Sequence, residues 1–217
     1  KNMSLFYYRN NFLNQTELDE LIKWLDKQHF ISGENLNNKE IPREQIWFQE
    51  DGKYFNSMWK QRFDRWKGNY YDDYLFKIQE KIQNELEKNE YLNKTVFKEN
   101  NHPKMNSCLI NKYRSGLDTI SAHRDSATSF GEEPLILILS IGETRTLKFS
   151  KIIYNQDNPL SSKIDIKNSS MNREFKLEDN SIFIMSGRSQ KDYTHRIDKE
   201  EDKNNIRYSL TFRMFLN

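Results

Sequence analysis

The segment Arg207-Tyr208-Ser209-Leu210-Thr211-Phe212-Arg213 alternates polar and apolar residues without a break. In an extended strand residues i and i+2 share a face, so Tyr208, Leu210 and Phe212 line one side while Arg207, Ser209, Thr211 and Arg213 line the other. The apolar side calls for a core. If the polar side is also enclosed, its two guanidiniums need an anion, because an uncompensated charge is costly away from water. The planar fork of arginine suits a carboxylate. A solvated edge strand accounts for the same pattern without a ligand, and both readings stand at this point.

The strand around this segment, 206–215, closes a series of short apolar stretches at 106–113, 134–141, 145–150 and 181–186. They are separated by polar or glycine-bearing residues with no helical pattern between them, which favours an antiparallel sandwich or jelly roll over a parallel α/β sheet. Residues 155–173 show little periodicity and read as an insertion loop. Upstream the pattern differs. Thr16-Glu17-Leu18-Asp19 resembles a helix start, and Leu18, Leu21, Ile22 and Leu25 recur at helical spacing to about His29. Tyr74, Leu75, Ile78, Ile82 and Leu86 predict a second helix over 72–88. Between them, 32–38 reads as a loop, and 41–55 as a loop or short hairpin with a turn at Asp51-Gly52. The fold class expected is α+β and mainly β, in one domain over 1–217: N-terminal helices and connecting segments to 104, then a β region from 105.

Composition narrows the function classes. The chain has 217 residues with 35% hydrophobic and 13% aromatic side chains, more than a disordered chain carries. Lys and Arg (34) nearly cancel Asp and Glu (32), so any basic surface is local. A single cysteine, Cys108, excludes an intrachain disulfide and fits a reducing compartment. The longest apolar run, Leu135 to Leu139, is far below the roughly 20 residues of a membrane helix. Lys1-Asn2-Met3-Ser4 lacks the apolar core of a signal peptide. A cytosolic or nuclear protein, monomeric and without a membrane partner, is expected.

His123-Arg124-Asp125 places an imidazole and a carboxylate on one face of a strand or its end. His195, 70 residues further on, can reach them from another strand. Two histidines and one carboxylate on a single face leave open coordination positions, as in non-haem Fe(II) oxygenases. Asn111 and Tyr113 share a face of the 106–113 segment and offer an amide and a phenol to a carboxylate.

Taken in order, Leu109-Ile110-Asn111-Lys112-Tyr113-Arg114-Ser115-Gly116, His123-Arg124-Asp125, Leu139-Ser140-Ile141-Gly142 with Arg145 and Phe149, Ile184-Met185-Ser186-Gly187, His195 and Arg207 through Arg213 resemble the AlkB family of nucleic-acid dealkylating dioxygenases. The resemblance is collinear across the C-terminal half. It implies a double-stranded β-helix, or jelly roll, buttressed by the N-terminal helices and carrying a nucleotide-recognition lid. It implies Fe(II) held by His123, Asp125 and His195, which are also the catalytic centre. Contacts to 2-oxoglutarate fall on Asn111, Tyr113, Arg207, Ser209 and Arg213, with Arg207 and Tyr113 at the distal carboxylate and O2 as second cosubstrate. Family members often have asparagine where this chain has Ser209, and some relatives follow the His-Arg-Asp triplet with acidic residues where Ser126 and Ala127 stand here.

Further upstream, Ile41-Pro42-Arg43-Glu44-Gln45 resembles the start of the family's lid, which makes Arg43, Trp47, Phe48, Tyr54 and Phe55 candidate substrate contacts. A flipped base stacks on aromatic side chains. Lys60-Gln61-Arg62-Phe63-Asp64-Arg65-Trp66-Lys67 interleaves basic and aromatic residues as a phosphate-contacting surface does. The implied reaction is oxidative demethylation of 1-methyladenine or 3-methylcytosine in alkylated DNA or RNA, releasing formaldehyde, succinate and CO2. Hydroxylation of a protein or small molecule on the same scaffold, and an inactive nucleic-acid-binding module, are the alternatives.

Overall fold

A computed structural model describes residues 5–59, 62–90, 92, 102–158, 163–164 and 170–217. Both helices form near the positions their spacing predicts. Helix α1 (Gln15–Asp26) starts one residue earlier than the sequence suggested, because Asn14 and Glu17 build a capping box: the Asn14 side chain accepts from the Glu17 amide (2.9 Å) and Glu17 accepts from that of Asn14 (3.0 Å). It ends at Asp26, short of His29. Helix α2 (Asp73–Lys88) is capped by Asp72, whose carboxylate takes the Leu75 amide at 2.8 Å and the Trp24 indole of α1 at 2.7 Å. One side chain thus ends one helix and fastens it to the other.

The strands are β1 (Phe6–Arg9), β2 (Glu44–Gln49), β3 (Ser107–Tyr113), β4 (Ile120–His123), β5 (Ile136–Gly142), β6 (Arg145–Ile153), β7 (Lys163–Ile164), β8 (Arg173–Leu177), β9 (Ser181–Met185), β10 (Tyr193–Ile197) and β11 (Arg207–Arg213). The larger sheet runs β1-β9-β5-β11-β3-β2 and the smaller β4-β10-β6-β7, with β8 also on β6. Every pairing between these strands is antiparallel. Two facing antiparallel sheets with two helices on the outside are the jelly roll expected from the sequence.

Side-chain parity distributes the core. Tyr208, Leu210 and Phe212 of β11, Leu137, Leu139 and Ile141 of β5, and Cys108 and Ile110 of β3 pack with Leu21, Leu25, Leu75, Ile78 and Ile82 of the helices. Phe6, Ile136, Ile138, Leu147, Phe149, Leu177, Phe183 and Met185 fill the space between the sheets. Strand β11 is therefore buried on both faces along its whole length. At the β5 to β6 turn Gly142 has φ 96°, and a Cβ there would sit 2.3 Å from the Ile206 carbonyl oxygen, so only glycine lets the turn pass the start of β11.

Several expectations need correction. Residues 41–55 are not simply a loop or hairpin: β2 pairs with β3 as an edge of the larger sheet, followed by the expected turn at Asp51-Gly52. Its alternation was hidden because Ile46 and Phe48 pack toward the helices while Trp47, on the opposite face, joins a separate aromatic cluster, so both faces read as apolar. Strands β1 and β2 also place N-terminal segments in the larger sheet, so the change of pattern near residue 104 is not a seam in the fold. Strand β8 escaped notice because it is short and mixes charged residues with its apolar ones, whereas β4 ends at His123 and β10 carries His195, the two strands expected to bear these residues. The expected insertion at 155–173 contributes β7, which pairs with Ile152 and Ile153, while residues 159–162 and 165–169 of it lie outside the described residues. Lys60 and Gln61 of the basic and aromatic stretch lie outside them too. Cys108 is buried, and burial pushes its thiol up. Among the described residues no helix is long and apolar enough to cross a membrane.

Leu139 is fully buried, with Leu210 and Ile182 as its cross-strand partners. Leu139→Ala is expected to lower unfolding free energy by about 2–5 kcal/mol, read as a reduced urea midpoint at unchanged slope.

Candidate metal and anion site

His123 ends β4, and His195 lies in the middle of β10, paired across the smaller sheet. Antiparallel register makes them direct neighbours, and their ring centroids stand 4.2 Å apart. Asp125 follows beyond the end of β4, with its side chain turned inward and only 3% exposed. Its Oδ1 lies 3.9 Å from His123 Nε2 and 3.7 Å from His195 Nε2. Two ligand atoms each about 2.1 Å from one ion lie at most ~4.2 Å apart, so these separations fit a shared first-row ion. Ligand atoms of the three residues all lie within 4.8 Å of one another.

The protonation states suit that task. His123 Nδ1 is 2.8 Å from the Ser121 carbonyl oxygen. A carbonyl only accepts, so Nδ1 carries the hydrogen and the Nε2 lone pair faces Asp125. Burial lowers the pKa of His123, and burial together with the neighbouring His123 pushes His195 down to about 3, so both rings are neutral near neutral pH. Burial alone would raise Asp125, but the Arg213 guanidinium and the two histidines outweigh it and hold the carboxyl below its ordinary range. Arg213 donates through Nε to Asp125 Oδ2 at 2.5 Å, leaving Oδ1 toward the histidines. The Asp125 amide donates to Gln190 Oε1 at 2.9 Å.

Beside this cluster lies a pocket between the sheets, whose polar wall comes from Asn111 and Tyr113 of β3 and Arg207, Ser209, Thr211 and Arg213 of β11. Arg207 is 1% exposed, and its guanidinium lies over the Tyr113 ring at 5.2 Å. Its Nη2 donates to Ser140 Oγ at 3.0 Å, while Nε and Nη1 are buried with no hydrogen-bond partner among the described residues. Burial lowers its pKa from the ordinary arginine value. A buried cation with two idle donors is the orphaned polar group that a carboxylate would satisfy. The opposite wall, from the smaller sheet and β8 beside it, is apolar, formed by Ile120, Leu147, Leu177 and Ile197, while Met185 lines the pocket from β9 of the larger sheet.

All eight residues the sequence assigned to metal and cosubstrate thus come together. The proposed substrate contacts do not. Trp47 is fully buried, its indole donating to the Lys53 carbonyl at 3.0 Å, and Phe48 packs on Trp24 on the helix side of the sheet. Both are core residues, which corrects their assignment to a base-stacking surface: residue type marks aromatic bulk but not which face the helices cover. Arg43 donates to Asn111 Oδ1 and the Thr119 carbonyl oxygen, both at 3.3 Å, at the pocket edge. Tyr54 and Phe55 are half-buried and line a broad groove with Met58, Trp59, Tyr70 and Ser126, the residue after Asp125. Phe55 stacks on Trp66 at 4.4 Å. Sequence reading missed Ser140 and Gln190 as contacts of the site, since neither carries a spacing signal. It also missed Met58, Trp59 and Tyr70, of which Met58 and Tyr70 are 85% and 72% exposed.

The family model described as the 2OG-Fe(II) oxygenase superfamily matches residues 5–213. The alpha-ketoglutarate-dependent dioxygenase alkB homolog 3 of Homo sapiens and that of Bos taurus are each 32% identical over 120 residues, covering 55% of this chain and 40% of the relative. The DNA oxidative demethylase ALKBH2 of Arabidopsis thaliana is 25% identical over 121 residues, covering 52% of this chain and 38% of that protein. The chain therefore matches about two fifths of the length of these curated relatives. A solved structure described as that of OsALKBH1 superposes with a TM-score of 0.64 at 15% identity, over 96% of this chain and 97% of the other. A prolyl hydroxylase from Trichoplax adhaerens, in complex with a hypoxia inducible factor peptide fragment, gives 0.55 at 13% identity, over 99% and 84%. At such identities the two structures speak to fold alone.

The histidines give the metal-free protein a defined pH response. His195 has a folded pKa of about 3 against an ordinary 6.5, so between those values the unfolded chain binds a proton that the folded chain does not. Stability is expected to fall as pH drops from about 6.5 toward 3, and the depressed Asp125 adds to the loss below the ordinary carboxylate range. Urea midpoints across pH 7.5 to 4.5 read the effect, and His195→Gln should flatten the profile.

Proposed function

This chain belongs to the 2OG-Fe(II) oxygenase superfamily, and on that premise we propose that it oxidatively demethylates N-alkylated bases such as 1-methyladenine and 3-methylcytosine in DNA or RNA. The AlkB resemblance drawn from its motifs is borne out by the alkB homolog 3 and ALKBH2 relatives. The superfamily uses Fe(II), 2-oxoglutarate and O2. The observation that carries the reading is the meeting, in one pocket, of a three-ligand cluster and a buried arginine with unused donors.

In this reading His123, Asp125 and His195 hold the iron, and Arg207 with Tyr113 receives the distal carboxylate of 2-oxoglutarate. Iron and 2-oxoglutarate together supply oxidative power, with succinate and CO2 as the products of the cosubstrate. The chain's own work is electrostatic and geometric. Arg213 keeps Asp125 ionised and fixes which carboxylate oxygen faces the metal position. The Ser121 carbonyl fixes the His123 tautomer. Ile120, Leu147, Leu177 and Ile197 exclude water from the side of the pocket opposite Arg207. Asn111 and Ser209, cross-strand partners on β3 and β11, add an amide and a hydroxyl to the polar wall, and Arg43 orients Asn111.

The names of the relatives support a nucleic-acid substrate. So does the groove that opens at Ser126, where Tyr54, Phe55, Met58, Trp59 and Tyr70 offer surface to stack on and Lys53 and Lys67 offer positive charge. In this reading these residues replace Trp47 and Phe48 as the substrate contacts.

Mass spectrometry of oligonucleotides carrying 1-methyladenine or 3-methylcytosine, single- and double-stranded, DNA and RNA, tests the proposal when succinate is followed in parallel. Methyl loss that requires both Fe(II) and 2-oxoglutarate is expected, and Asp125→Asn or His195→Ala should abolish it. Arg207→Gln removes a charge-assisted partner for the cosubstrate and is expected to raise KM for 2-oxoglutarate at least tenfold. Succinate formation without methyl loss would move the substrate to a protein or small molecule. Neither product would sink the catalytic reading.

A further inference from the structure

The aspartate ligand position has an unusual support. Strand β4 ends at His123, so the sheet does not hold the backbone of Asp125. The hydrogen bond that its amide makes is to Gln190 Oε1, at 2.9 Å. Gln190 is 5% exposed and lies in the short helical turn Ser189–Asp192, immediately before β10, which carries His195. One buried amide therefore joins the segment bearing two of the ligand residues to the element bearing the third.

The orientation of that amide is decided by Asp125. A backbone N–H can only donate, so the oxygen of Gln190 must face it. The other end of the side chain has weak partners, Ser189 Oγ at 3.3 Å and Met185 Sδ at 3.6 Å. The strong interaction of this buried glutamine is the one it makes with the ligand segment. Asp125 is then held at both ends, by Gln190 at the amide and by Arg213 at the carboxylate.

We propose that Gln190 is a positioning residue for the metal centre, setting where the Asp125 carboxylate stands relative to His195 by fixing the backbone amide of Asp125. This rests on the reading of His123, Asp125 and His195 as metal ligands. Partners that orient ligands in this way are typically worth ten- to a hundredfold in metal affinity.

The test is titration of the metal-free full chain with Co(II), followed by visible absorption, with circular dichroism as the check of folding. Gln190→Leu keeps the bulk and removes the acceptor, and is expected to weaken Co(II) binding ten- to a hundredfold and to alter the d–d bands. Gln190→Glu keeps an acceptor at the same reach and should recover most of the affinity and the wild-type spectrum. If Gln190→Leu does not fold, Gln190→Met replaces it. Unchanged affinity and spectrum in the folded Leu or Met variant would overturn the proposal, as would equal weakening in Gln190→Glu. Absence of Co(II) binding by the wild-type chain would instead overturn the metal site itself, which separates the two failures.

Discussion

Burial of both faces of β11 is the constraint from which the architecture follows. A strand flanked by β5 and β3 presents Tyr208, Leu210 and Phe212 to one side, and that side must be covered; α1 and α2 cover it. The other side carries two arginines and two hydroxyls, and the smaller sheet folds over it. Enclosing charged groups is costly unless they are paired. Arg213 is paired with Asp125, whereas Arg207 has the Ser140 hydroxyl and the face of the Tyr113 ring but, among the described residues, no carboxylate. The fold thus stores one unfilled demand for negative charge in the pocket beside the histidine pair.

Asp125 links the two halves of that site. Its carboxylate is shared between Arg213 on the larger sheet and the two histidines on the smaller one. The same contacts keep it ionised despite complete enclosure, since the attraction of Arg213 and the histidines outweighs the burial that would otherwise neutralise it. A metal ion placed against Oδ1 would take up the remaining negative charge, and neutral Nε2 lone pairs from His123 and His195 would complete the donor set. The apolar wall opposite Arg207 strengthens each of these interactions by lowering the local dielectric.

The residues that reading the sequence misplaced share a physical origin. Trp47 and Phe48 are neighbours on β2, so they point in opposite directions, and both directions are enclosed in this protein, one by the helices and one by Phe130 and Phe215. An exposed edge with the same residues would have offered a stacking surface. Met58 and Trp59 line the groove because Ser57–Trp59 forms a turn that leaves their side chains partly uncovered, which no periodicity in so short a segment announces. Gln190 is similar: its role depends on the Asp125 amide arriving within 2.9 Å from a segment 65 residues away.

Local spacing by itself determined the helices, the antiparallel β region, the two-faced character of 207–213 and the His-x-Asp pair, while the AlkB resemblance singled out His195 as its distant partner. The former are properties of a period of 3.6 or 2 and of donor chemistry, which a chain carries wherever it folds. Only the tertiary structure decided that His195 pairs directly with His123, that Arg213 is committed to Asp125 while Arg207 keeps two idle donors, and which aromatics are core. Those outcomes depend on strand register and on which sheet face another element covers. Both are set by packing between segments far apart in the chain, where periodicity carries no information.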